Sequence, residues 1–341
     1  MNSEKLPGKG EDPGRPPPDG SARPPVLELR ALQKYFSLER GRRLHAVDHV
    51  TLALAEREVV GLVGESGCGK STLGKTVVGL LERSGGEVFY RGERLPQSYD
   101  ANAFRKYGRR VHMIFQDPYS SLDPRMTVRE IVAEGPRLHG LWKRNEVQDR
   151  VGYWLERVGL SRSFLSRYAH EFSGGQRQRI GIARALALEP DVVVCDEPIS
   201  ALDVSVQAQV VNLLAQLKDT MGLTLLFIAH DLSLIRYVSD RMAVMYLGQL
   251  VELGVANDVY FRAKHPYTQS LVASTPEADP EQARRRLPVA VRGEVSSPVD
   301  PKPGCRFAAR CPHVMPRCRE RDPDWIEAAP GHFVACYLYQ P

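Results

Sequence analysis

The sequence predicts an α/β fold, a parallel sheet covered by helices on both faces. Three observations predict it. Short, nearly unbroken apolar runs stand at 59–63, 192–195 and 224–229, the pattern of strands buried on both sides. Helical stripes recur between them, one through Val147, Val151, Trp154, Leu155 and Val158, another through Val206, Val210, Leu213, Leu214 and Leu217. A strand that alternates with a helix in this way builds a parallel sheet.

Taken in order, residues 1–25 are rich in Pro, Gly and charge and are expected to be disordered, since they offer almost no large apolar side chains to offset the entropy of ordering. Order is expected from Val26-Leu27-Glu28-Leu29, an alternating strand, followed by a second strand at Thr51-Leu52-Ala53-Leu54. Val111 to Phe115 reads as another. From about 118 to 190 the pattern turns mainly helical. Met242 to Leu247 and Gln249 to Leu253 flank Gly248 as a hairpin near the sheet's end. Beyond about residue 265 prolines and arginines multiply and periodicity fades, and a cysteine-rich tail begins near Pro303. There is no internal repeat, so the chain carries one such unit.

The bulk numbers exclude some classes. A chain of 341 residues with 43% apolar and 26% charged residues buries a real core. The net charge of +5 comes from scattered basic residues, with only short runs such as Arg42-Arg43 and Arg284-Arg285-Arg286, so no nucleic-acid surface is expected. No apolar run approaches the ~18 residues needed to cross a membrane. The amino terminus lacks a signal-peptide core. The chain is therefore expected in the cytoplasm, reaching a membrane only through a partner.

Chemistry concentrates in short motifs that stand in a fixed order. Gly64-Glu65-Ser66-Gly67-Cys68-Gly69-Lys70-Ser71, followed by Thr72, has the spacing of a P-loop between a buried strand and a helix. Its glycines let successive N–H groups turn toward phosphate oxygens, and the helix end adds partial positive charge. Lys70 can reach β- and γ-phosphates and Ser71 can ligate Mg²⁺. Asp196 closes a buried strand, where a carboxylate emerges at the ligand-binding edge and can hold the Mg²⁺ shell. Glu197 is the candidate general base for the attacking water. Gln116 and His230 each follow a strand. Ser173-Gly174-Gly175-Gln176 precedes a helix and exposes N–H groups of its own.

The ordered set resembles the ABC ATPases: Walker A at 64–71, Q-loop Gln116, signature 173–176, Walker B at 192–196 with Glu197, D-loop Ser200-Ala201-Leu202-Asp203, and switch His230. Finer features are similar to ATP-binding subunits of oligopeptide and dipeptide importers, above all the F-type subunit. They are the run Gln116-Asp117-Pro118-Tyr119-Ser120-Ser121-Leu122-Asp123-Pro124-Arg125, the run Ala201 to Gln209, and His265-Pro266-Tyr267-Thr268. The likeness covers about residues 26–340. Two departures are slight: Phe172 stands before the signature serine and Ile199 stands in the Walker B loop.

The resemblance implies a P-loop NTPase of ABC type, with a RecA-like core, a β-subdomain and a helical subdomain. Residues 26–264 would form the nucleotide-binding domain and 265–341 a small extension. Two such domains would clamp ATP head to tail, so Ser173 to Gln176 would act on the partner's nucleotide. An aromatic would stack on adenine, Phe36 first and Tyr35 second. Hydrolysis would power import of peptides by two transmembrane permease subunits, fed by an extracytoplasmic solute-binding protein. A sister ATPase would complete a heterodimer at the cytoplasmic face of the inner membrane. Segment 116–135 would touch the permease.

In the tail, Cys305, Cys311, Cys318 and Cys336 leave gaps of five, six and seventeen residues. In a reducing cytosol such a group suggests metal ligation before disulfides. Structural zinc usually shows a tighter pair. Thiolates also suit a 4Fe–4S cluster, and Cys311-Pro312 matches the Cys-Pro of ferredoxin-type sites. Related permease subunits carry such a cluster in a similar tail. Cluster, zinc and unligated thiols all stay open. Arg306, Arg310, Arg317 and Arg319 are expected to favour thiolates, and His313 and His332 are alternative ligands, with the surface the preferred reading for each. Other functions stay open too: import of nickel or another small solute, or a soluble ABC ATPase working on nucleic acid or ribosomes. Against the last, the chain has one ATPase unit and no coiled-coil heptads between P-loop and signature.

Overall fold

The computed structural model describes residues 25–117, 121–200, 202–274 and 296–340. The tail expected to be disordered (Pro25 apart), residues 118–120 and 201 of the peptide-importer runs, and the 284–286 arginines lie outside them. The elements run β1 (Pro25–Ser37), β2 (Arg43–Ala55), β3 (Val59–Val63), α1 (Lys70–Val77), β4 (Gly85–Tyr90), β5 (Glu93–Arg94), α2 (Ala101–Tyr107) and β6 (Val111–Ile114). A helical stretch follows with α3 (Val128–Leu138), α4 (Val147–Arg157) and α5 (Gly174–Leu186). Then come β7 (Val192–Asp196), α6 (Val204–Met221), β8 (Thr224–Ile228), α7 (Leu232–Val238), β9 (Arg241–Tyr246), β10 (Gln249–Val255), α8 (Ala256–Phe261), α9 (Pro266–Ala273), β11 (Ile326–Ala329) and β12 (His332–Val334).

Two sheets result. A small antiparallel sheet has the order β2-β1-β4-β5, and a large one the order β11-β12-β10-β9-β3-β8-β7-β6. In the large sheet β6, β7, β8, β3 and β9 run parallel. Every residue of β3, β7 and β8 is buried, which is why those strands lack alternation. Each fully buried Val or Leu there contributes about 1.5–3 kcal/mol of burial. The stripe on α4 is buried at Val151, Trp154, Leu155 and Val158. That packing sets the helical layer against the sheet, with Phe172 closing on Phe164 at a ring separation of 5.2 Å.

The tail departs from expectation. It reads as an extension in sequence, yet β12 pairs antiparallel with β10 and β11 with β12, so it carries the central sheet outward. Strands this short carry too few residues for alternation to register. His332 is not at the surface: it is 3% exposed, and its Nε2 lies 2.7 Å from Glu252 Oε1.

His112 is a half-buried titratable group on the sheet's edge strand β6. His112 on β6 has a pKa lowered to about 4, chiefly by burial, with a hydrogen bond to Gly108 O opposing the shift and Arg184 and His139 adding to it. A group whose folded pKa lies below its unfolded value binds more protons when unfolded. Its contribution is therefore complete above about pH 6.5 and declines toward pH 4, by roughly 1.4 kcal/mol per unit at most. Urea melts at pH 7 and pH 5 should show that loss, and His112→Gln should flatten it; an equal slope in the variant would refute the assignment.

Candidate functional site

The glycine-rich loop leaves β3 at Val63 and enters α1 at Lys70. Two of its glycines are required by close approach. Gly69 has φ +110°, and a Cβ there would stand 1.9 Å from Ala46 O. A Cβ at Gly64 would stand 2.2 Å from Met245 O. Lys70 is only 4% exposed. Its Nζ donates to Gly64 O at 2.8 Å and to Glu65 O at 3.0 Å, so the ammonium is folded into its own loop.

Across the loop, β7 delivers Asp196. Ser71 Oγ donates to Asp196 Oδ1 at 2.8 Å. Burial pushes the Asp196 carboxyl above its ordinary range, against the pull of Ser71 and Lys75. Ser71 Oγ and Asp196 Oδ1 are two oxygens that could hold a divalent cation, whose charge would offset the cost of burying the carboxylate.

Glu197 follows with φ +42°, a conformation that costs a non-glycine residue energy. Its N–H is tied to Ile228 O at 3.0 Å. The side chain is gripped from two other strand ends. Gln116 Nε2 donates to Glu197 Oε2 at 3.0 Å, and His230 Nδ1 lies 3.6 Å from the same oxygen. Three residues far apart in sequence thus share one carboxylate at the carboxyl edge of the sheet.

A cavity of about 250 Å³ runs from the loop to Gln116 and Glu197. It is lined by Phe36, Ser66 to Thr72, Gln116, Glu197 and, from the tail, Pro298. Phe36 and Tyr35 are separated here. Tyr35 stacks on His45 at 4.0 Å and donates its hydroxyl to Asp48, whereas Phe36 faces the cavity. Ser173 to Gln176 do not line it. They form a capping box on α5 instead, Ser173 N to Gln176 Oε1 at 3.1 Å and Gln176 N to Ser173 Oγ at 3.4 Å. The arrangement can seat a triphosphate on the loop, a cation between Ser71 and Asp196, and a carboxylate beside the terminal phosphate.

Sequence reasoning missed the tail's part in the loop. Arg310 Nη1 donates to Glu65 Oε1 at 3.1 Å and Oε2 at 3.0 Å. Tyr267 Oη accepts the Glu65 N–H at 2.8 Å. Arg306 pairs with Asp48 and donates to Leu247 O at 2.8 Å. No local motif announces these pairs, because the contacts to Glu65 and Asp48 join segments two hundred or more residues apart in the chain.

Cys305, Cys311, Cys318 and Cys336 all line one small cavity of about 10 Å³ with His265 and His313. They are free thiols. Among the described residues no group of three or more His, Cys, Asp or Glu could hold a metal ion. The expectation that arginines favour thiolates is overturned. Burial pushes the Cys305 thiol up to about 12 and that of Cys336 to about 11, and the thiols raise one another. Arg306 and Arg310 are spent on Asp48 and Glu65, and Arg317 on Tyr337 O at 2.8 Å. His265 is 1% exposed. Its Nδ1 accepts from Tyr267 N at 3.1 Å, and its Nε2 has no hydrogen-bond partner.

A P-loop after a buried parallel strand, an acidic strand end, and Gln, Glu and His gathered beside them define an ATPase of the ABC class. Residues 47–200 match the ABC transporter family. Residues 251–318 match the oligopeptide/dipeptide transporter C-terminal region. A Bacillus subtilis relative, the putative oligopeptide transport ATP-binding protein YkfD, is 52% identical and covers 93% of this chain and 96% of its own. The oligopeptide transport ATP-binding protein OppF of Salmonella typhimurium is 47% identical, covering 93% and 97%. Among solved structures, the dimeric ABC transporter cassette MJ0796 aligns with a TM-score of 0.62 at 26% identity, covering 67% of this chain and 98% of that one. The chain belongs to the family of ABC transporter ATP-binding proteins. Among the described residues no helix is long and apolar enough to cross a membrane.

Proposed function

We propose that this chain hydrolyses ATP to power import of oligopeptides through a membrane ABC transporter. The observation that carries the reading is one chain joining a complete nucleotide pocket to a match with the oligopeptide/dipeptide transporter C-terminal region over residues 251–318. The names of the relatives support the same substrate class.

In this reading Gly64 to Thr72 hold the phosphates, with Lys70 on the β- and γ-groups. Ser71, Gln116 and Asp196 hold Mg²⁺, and Phe36 stacks on adenine. Glu197 takes the proton of the water that attacks the γ-phosphorus, the bond to the bridging oxygen breaks, and ADP leaves. His230 contacts the γ-phosphate. Ser173, Gly174, Gly175 and Gln176 act on the nucleotide of a partner ATPase. What supports this last role is their absence from the chain's own pocket together with N–H groups at a helix start. Residues 26–264 make the nucleotide-binding domain, and 265–341 the importer extension. The partners are a sister ATPase of F-type pairing, two permease subunits and an extracytoplasmic solute-binding protein. The working place is the cytoplasmic face of the inner membrane.

The thiol cavity is read as a 4Fe–4S site, with zinc as the alternative. Its four cysteines are the donor set, and His265 lines the same cavity. A lone zinc ion needs its ligands within about 2.3 Å of one point, whereas a cluster takes one thiolate per iron, so its ligands meet the corners of a cube and stand farther apart. When bound, such a group supplies a cross-link among tail segments or an electron site. Purification from membranes in mild detergent under anaerobic conditions should bring down a second ATPase and two membrane subunits, with iron and labile sulfide bound. Recovery of this chain alone would overturn the importer reading, and recovery without iron the cluster reading.

A further inference from the structure

The carboxyl-terminal segment reaches the phosphate-binding loop at its single acidic residue. Glu65 is held at several points. Its N–H is bound by Tyr267 Oη at 2.8 Å, its carbonyl accepts from Lys70 at 3.0 Å, and its carboxylate meets Arg310 at 3.0 and 3.1 Å. Arg310 does not float. It lies over the Tyr246 ring at 5.9 Å and the Phe307 ring at 5.7 Å. Those rings, with Tyr267, form a buried aromatic cluster with centroids 4.5 to 5.5 Å apart. Tyr246, Tyr267 and Phe307 are at most 1% exposed. The guanidinium is itself mostly buried, its side chain 13% exposed against 33% for Glu65.

We propose that Arg310 is a positioning residue for the phosphate-binding loop, acting through Glu65 to neutralise and anchor the one negative charge in a loop that must accept a polyanion. The proposal rests on the reading above that this loop binds ATP. A carboxylate left unpaired there repels phosphate, and it frees the loop segment whose carbonyl holds Lys70. Arg310 therefore contributes to nucleotide affinity without itself lining the nucleotide cavity. Arg310 also stands next to Cys311 in the chain, so the thiol cavity and the loop share one short stretch of backbone.

The test uses the full chain, with Mg-ATP titrations, steady-state hydrolysis and thermal melts. Arg310→Gln should weaken ATP binding about tenfold, the loss falling on KM and not on kcat. Arg310→Lys keeps the charge and should stay within about threefold of wild type. The decisive variant is the double one. Glu65→Gln with Arg310→Gln removes the unpaired carboxylate and should recover affinity to within about threefold, a sign that a mere structural prop would not give. The defect of Arg310→Gln should also shrink at high salt, because Glu65 is partly exposed. ATP affinity in Arg310→Gln equal to wild type would overturn the proposal, as would a double variant no better than the single one at a native melting temperature. If Arg310→Gln fails to fold, the double variant and Arg310→Lys decide alone, the former weak and the latter normal being the contrary result. Lys70→Ala in the same assay separates the two readings. Lost binding there with unaltered Arg310→Gln refutes only the positioning role, while intact binding in Lys70→Ala refutes the loop as the ATP site.

Discussion

Glu197→Gln should still bind ATP and should lose at least about a hundredfold in turnover, the usual worth of a general base. The expectation follows from how the side chain is held. Glu197 is 16% exposed at its side chain, follows the buried end of β7 and has its backbone N–H fixed to β8. Gln116 donates to one of its oxygens at 3.0 Å. Glutamine keeps that acceptor oxygen and fills the same volume, so the pocket is preserved and affinity with it. What disappears is the ability to take a proton from water. ATP then stays uncleaved, and a nucleotide-clamped dimer should accumulate and elute early from a sizing column. Phosphate release in single-turnover mixing reads the chemical step directly. Wild-type turnover in this variant would remove Glu197 from the role of base and leave its contacts to Gln116 and His230 as architecture.

The parts of this molecule that sequence made legible are the ones where chemistry is local. A P-loop is legible because its glycines, lysine and serine act within a single turn of chain, and the backbone crowding at Gly64 and Gly69 explains why no other residue fits. Buried parallel strands are legible because both faces are apolar, as at 59–63 and 192–196. Gln116, Glu197 and His230 could be placed at strand ends, though not at one oxygen, since convergence depends on sheet order. The tail was illegible for the same reason in reverse. Strands of three and four residues leave no periodicity, and a pair such as Arg310 with Glu65 joins segments 245 residues apart. His332 carries no local sign of burial, yet it is 3% exposed in a three-residue strand and lies against Glu252. Arginines beside the cysteines suggested lowered thiol pKa values, yet adjacency in sequence is not adjacency in charge: the guanidinium groups turn toward Asp48, Glu65 and the Tyr337 carbonyl.

Lys70→Ala should weaken Mg-ATP binding by at least about thirtyfold, the range expected when a charged hydrogen-bond donor is lost. In the loop the ammonium spends two donors on Gly64 O and Glu65 O, and approaches the Cys68 sulfur at 3.9 Å. Sulfur is a weak acceptor, so a phosphate oxygen can accept from that third N–H at little cost. Alanine removes the charge and also leaves two loop carbonyls without their donor, so stability and affinity must be read apart. The melt without nucleotide reports the first. The shift on adding Mg-ATP reports the second, because a ligand that binds only the native state stabilises it by RT ln(1 + [L]/Kd). Wild type should gain several degrees at saturating Mg-ATP, whereas Lys70→Ala should gain almost nothing at the same concentration, whatever its starting melting temperature. A variant that melts lower yet keeps the full nucleotide shift would show Lys70 to be a buried strut of the loop, and the phosphates would then be held by its backbone N–H groups and the start of α1 alone.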